Sequence, residues 1–176
     1  AISYMPAAGF TIAATRFISE ASGAQDSELA GAYLKRIIIG TSLATGLAVI
    51  AFIFIPERIT SLLTDQEEIV GLAARYLLIM GFIELPLNLN GIFAGALRGL
   101  GYARIPILIS ATGLWGIRVP LVLLSVYVFH FPVAVTWAFI GIEFFYRCAL
   151  SCFFYLRKSR EVFVFRTLNT SIKNVT

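Results

Sequence analysis

The sequence predicts an all-α membrane protein of about five transmembrane helices, the first truncated at its N-terminus. Two observations carry this. Apolar residues make up 59% of the 176 and charged residues only 14%, with a mean hydropathy of +0.85. A soluble domain has roughly 45–50% apolar and about 25% charged residues, so a bilayer must solvate this chain. The second observation is that basic residues alternate between the ends of the apolar segments. Arg16, Lys35, Arg36, Arg98, Arg104, Arg157, Lys158, Arg160, Arg166 and Lys173 fall on one side. Arg58 and Arg75 fall on the other, with Glu57, Asp65, Glu67 and Glu68. The positive-inside bias makes the first side cytoplasmic, which places the C-terminus there and predicts an inner (plasma) membrane protein.

The helices are expected at about 1–20, 34–55, 66–98, 104–129 and 131–156, forming a transmembrane bundle over 1–156. Their apolar cores are 37–55, with no charge; 76–97, with Glu84; 105–129, with Arg118; and 131–156, with Glu143 and Arg147. Each can cross a hydrocarbon core that needs about 20 residues. The stretch 1–15 is uncharged but short, without a basic n-region, and reads as the back half of a helix in a C-terminal fragment. Residues 157–176 are expected to form a basic cytoplasmic tail lying along the membrane surface.

The loops carry helix punctuation. Gly23 is placed to end the first helix, and Asp26 to cap a short helix leading into Leu34. Pro56 stops the second helix, and 59–63 forms a short apolar turn at the outer interface. Thr64-Asp65-Gln66-Glu67 reads as a capping box for the third helix. Arg98, Gly99, Gly101, Arg104 and Pro106 mark an exit into the cytoplasm and a re-entry.

The chemistry on offer is narrow. The net charge of +4 lies between and after apolar segments, not on a stripe with interleaved aromatics, which excludes a nucleic-acid partner. Cys148 and Cys152 share a helical face and suit helix packing; they suggest no metal site. The single histidine, His130, sits in a short outer turn. No hydrolytic or redox motif and no phosphate loop is present, so neither an enzyme nor a cofactor is expected.

What remains is ion pairing inside the bilayer, where charged residues are rare and are functional candidates by default. Arg118 and Glu143 lie about midway along consecutive antiparallel segments, so they are expected to pair. Arg147 follows Glu143 by one helical turn, completing a buried cluster read as structural, with a substrate or proton contact as the alternative. Glu84 has no cation in its own span and stands beside Pro86, Asn88 and Asn90. Pro86 removes a backbone donor and is expected to break the helix. A carboxylate with two amides at such a break suits a Na+ or H+ coupling site, or a substrate cavity. The competing reading is that Glu84 pairs with an arginine on another helix or faces a water-filled cavity without a coupling role.

The residues also resemble a family. Pro6-Ala7-Ala8-Gly9-Phe10 with Ala13-Ala14, Gly23-Ala24-Gln25-Asp26 with Leu29-Ala30, and Gly95-Ala96-Leu97-Arg98-Gly99-Leu100-Gly101 follow in order. Thr64-Asp65 with Glu68, Tyr76-Leu77, Trp115-Gly116-Ile117-Arg118-Val119-Pro120-Leu121, Trp137-Ala138 and Glu143 through Arg147 complete the set. Together they resemble the C-terminal part of a multidrug and toxic compound extrusion (MATE) transporter. That resemblance implies most of a C-terminal six-helix bundle, whose N-terminal bundle, a partner in the same protein, lies upstream. It also implies antiport of organic cations or drugs against Na+ or H+, without a cofactor. It places the family's acidic residue of the tenth helix nearer Leu87 than Glu84. A lipid-linked saccharide flippase of the wider superfamily and a non-transporting membrane scaffold are the alternatives.

Overall fold

The computed structural model describes residues 4–54, 56, 67–129 and 133–173. Among them are five helices and no strand: α1 (Tyr4–Ala24), α2 (Ser27–Phe54), α3 (Glu67–Gly99), α4 (Arg104–Val128) and α5 (Val133–Lys173). Four of them, α2 to α5, contain stretches long and apolar enough to cross a membrane. Large apolar side chains such as Leu43 and Leu47 on α2 and Ile107 and Trp115 on α4 point away from the bundle. In lipid such side chains need no protein partner.

The packing is organised around α3. Gly91, Gly95 and Gly99 form a stripe on α3 against α1, where a Cβ at Gly95 would lie 2.5 Å from the Thr11 carbonyl oxygen. Small residues at this spacing let two backbones approach closely. Thr11 and Thr15 support the approach by turning their hydroxyls to the carbonyls of Ala7 and Thr11 on their own helix. On its other side α3 meets α5 through Tyr76 with Trp137, Ile83 with Gly141 and Phe93 with Tyr155. Both sets of contacts advance in the same direction along the two chains, so α1, α3 and α5 are parallel. The α2 contacts run the other way, with Thr45 against Asn88 and Val49 and Phe52 against Gly81. This is the alternation that five consecutive crossings require.

Two turns use the same closure. After α3, Tyr102 N–H donates to Leu97 O and Gly101 N–H to Arg98 O, with Gly101 at φ 91°. After α1, Asp26 N–H donates to Ala21 O and Gln25 N–H to Ser22 O. Both are the 6→1 and 5→2 bonds of a Schellman turn, which needs a left-handed residue. After α1 that residue is Gln25, at φ 60°, and not the expected Gly23, which stays helical. Asp26 Oδ1 accepts from Leu29 N–H and caps one continuous helix from Ser27, so there is no separate short helix before Leu34.

Two further expectations are corrected. Residues 157–173 are not a separate strip at the surface, because they continue α5. Phe163 is buried in the same apolar cluster as Ile18, Leu34 and Leu97, so packing against the bundle holds this extension. The helix α3 is not broken at Pro86; it runs on through it. A feature that the sequence reading did not address is that α4 widens into π-helical turns at Thr112–Arg118 and Leu124–Val128. The expected capping box at Thr64–Glu67, the apolar turn at 59–63 and His130 lie outside the described residues.

Candidate functional site

The intramembrane charges fall into two places. In the first, α4 and α5 run antiparallel, with Ser110 beside Arg147, Thr112 beside Tyr146 and Arg118 beside Glu143. Glu143 is 0% exposed and lies between two arginines. Its Oε2 is 2.8 Å from Arg118 Nε, and its Oε1 accepts from Arg147 Nη1 at 3.0 Å. Arg147 Nη2 donates to Ser110 Oγ at 2.6 Å. Both guanidinium groups stand near the Phe144 ring, 5.5 and 5.6 Å from its centroid. The cation–π attraction favours this arrangement. Gly113 makes room for the cluster: a Cβ there would lie 2.9 Å from Arg147 Cγ. A buried carboxylate is tolerable only when paired; here Oε1 is hydrogen-bonded to Arg147, and Oε2 is ion-paired with Arg118 without a hydrogen bond.

The second place is the middle of α3. Glu84 is 4% exposed. Asn88 Nδ2 lies 3.5 Å from Glu84 Oε1 and donates more closely, at 2.9 Å, to Thr45 Oγ1 of α2. Asn90 does not join them. Six positions along a 3.6-residue helix turn it away from Glu84, and its Oδ1 accepts from Ser151 Oγ of α5 at 2.9 Å. The expected group of one carboxylate and two amides is therefore divided: Glu84 and Asn88 tie α3 to α2, and Asn90 ties α3 to α5.

The two places meet at a cavity of about 690 Å³ between α1, α3, α4 and α5. Asn88, Asn90 and Arg98 of α3, Ser110 of α4, and Phe144 and Arg147 of α5 line it. Glu84 is not among the lining residues, but its hydrogen-bond neighbour Asn88 is. The Asn88 amide therefore stands between the Glu84 carboxyl group and the cavity.

The sequence argument missed Thr45, Ser110, Ser151 and Phe144, each of which holds a predicted site residue in place. The signal available for three of them was a hydroxyl within an apolar span, which in membranes is enriched at helix–helix contacts. Phe144 had no such signal, being one phenylalanine among 15.

Comparison with known proteins agrees with this architecture. The MatE family model matches residues 1–124. The chain is 25% identical over 156 residues to a probable multidrug resistance protein NorM of Thermotoga maritima, covering 88% of this chain and 33% of that protein. It is 28% identical over 137 residues to a protein of the same name from Mesorhizobium japonicum, covering 74% and 28%. A third, from Xanthomonas axonopodis pv. citri, is 29% identical over 85 residues, covering 48% and 18%. The chain spans about a third or less of the length of these relatives.

Proposed function

This chain belongs to the MatE family of integral membrane proteins, the multidrug and toxic compound extrusion transporters, and from that premise we propose that it forms part of a secondary active antiporter. The whole protein exports organic cations or drugs in exchange for Na+ or H+. It acts as a transporter and not as an enzyme, in the inner (plasma) membrane, with its C-terminus in the cytoplasm. The helices α1 to α5 supply one wall of the substrate path, and an N-terminal bundle of the same protein supplies the other. The relatives' names speak of multidrug resistance, which supports this substrate class.

The observation that carries the coupling reading is the placement of Glu84: a carboxylate 4% exposed in the middle of an apolar helix, one hydrogen bond behind a cavity-lining amide. A proton, Na+ and a cationic substrate therefore compete for one charge, and that competition is a coupling mechanism. Alternating access then needs only that one bundle rock against the other. The test is efflux of a cationic dye from cells making the whole protein, under imposed proton and sodium gradients. Export that depends on one of the gradients supports the reading. Dye retention equal to that of cells lacking the protein overturns it.

A further inference from the structure

We infer that the cavity wall formed by α3, α4 and α5 is an anion-accepting subsite, which receives the carboxylate of a zwitterionic substrate. The inference rests on the transport reading above and narrows its substrate class.

Charge balance is the first argument. Arg118, Glu143 and Arg147 form one cluster, and the single carboxylate shares its two oxygens between two guanidinium groups. One positive charge is left over. The Phe144 ring beside both cations offsets it only in part, because a ring quadrupole is not a counter-charge. Arg147, which carries part of that excess, lines the cavity.

Donor balance is the second argument. A guanidinium has five N–H donors. Arg147 spends one on Glu143 and one on Ser110, and its Nε is buried, so one N–H on each terminal nitrogen is left for a ligand. Asn90 has given its oxygen to Ser151, which leaves its NH2 group as a donor. Arg98 adds a second cation where α3 ends. Among the described residues no carboxylate lines the cavity. A purely cationic ligand meets repulsion on this wall, while a carboxylate meets the remaining guanidinium N–H donors, which give charge-assisted hydrogen bonds. The substrate's cationic end then faces elsewhere, toward Glu84 or the opposite bundle.

A matched pair of dyes tests this: a rhodamine with a free carboxylate, which is zwitterionic at pH 7, and its methyl ester, a cation on the same skeleton. Both are assayed with the whole protein in proteoliposomes, as wild type and as Arg147→Gln. In that variant Glu143 keeps Arg118, so the cluster becomes neutral and no buried charge is stranded. A lost charge-assisted bond should shift the ratio of the two KM values about tenfold or more against the free acid. Arg98→Gln, at the exposed end of the wall, carries the same measurement if Arg147→Gln does not accumulate, with a shift in the same direction. Equal changes for both dyes in the variants, or export of the ester alone by the wild type, would overturn the subsite and leave the transport reading standing. Failure of the wild type to move either dye would overturn both.

Discussion

Glu143 and Arg118 come from consecutive helices and meet at 2.8 Å in the apolar middle of the bundle, with Arg147 closing on the other carboxylate oxygen. The arrangement is asymmetric: one acid serves two cations. Removing the acid strands two charges, whereas removing one cation leaves a neutral pair. Glu143→Gln should therefore destabilise by about 3–5 kcal/mol, and Arg118→Gln by clearly less. Melting temperatures of the purified variants in detergent, with membrane accumulation beside them, measure the order. An Arg118→Gln variant less stable than Glu143→Gln would contradict the shared-acid account.

The glycine stripe predicts a graded packing series. At Gly95 a Cβ would press into the Thr11 carbonyl, and backbone cannot move aside as a flexible side chain can. Gly95→Ala should cost about 1–3 kcal/mol, as overpacking typically does, and Gly95→Leu should prevent accumulation. Gly46 on α2 has open space where its Cβ would be. Gly46→Ala should be neutral or mildly stabilising, since alanine is the better helix former. Thermal unfolding of the two alanine variants side by side decides it.

Coupling predictions centre on Glu84. Glu84→Gln keeps the shape and an amide oxygen for Asn88 but cannot ionise; Glu84→Ala removes both. At matched expression in the whole protein, both should lose gradient-driven efflux. Thr45→Val should cost only about 1 kcal/mol of stability, the usual worth of one hydrogen bond, with gradient dependence retained. If both Glu84 variants keep wild-type responses to proton and sodium gradients, Glu84 is a structural link between α2 and α3, and the coupling acid lies on another helix.

Sidedness can be checked independently of transport. Cysteine placed at Ser61, which falls between α2 and α3 in the sequence and outside the described residues, should react with an impermeant thiol reagent from the outside of intact cells. Cysteine at Arg160 on the α5 extension should react only after permeabilisation. The reverse pattern would invert the orientation read from the basic residues.

The helical class, the membrane setting and the identity of the intramembrane charges could all be read along the chain. Hydropathy and charge alternation are local properties that survive without knowledge of neighbours. So could the pairing of Arg118 with Glu143, because consecutive antiparallel helices put equal depths side by side. The relation of Glu84 to its neighbours was only half legible. Its fourth-residue spacing to Asn88 is local, but the partner of Asn90 sits on α5, far along the chain.

What the sequence by itself determined was depth: which residues lie in the bilayer and in what order the crossings alternate. What only the tertiary structure decided was direction around each helix axis. These helices are apolar on nearly every face, so the 3.6-residue period that orients a helix in a soluble protein carries little signal here. The orientation came instead from close approach at Gly91, Gly95, Gly99 and Gly113, and from hydroxyls that find partners across helices. Those contacts set Arg147 and Asn90 into the cavity wall and keep Glu84 one residue behind it, because in an apolar medium each buried polar group must take whichever partner the packing brings within reach.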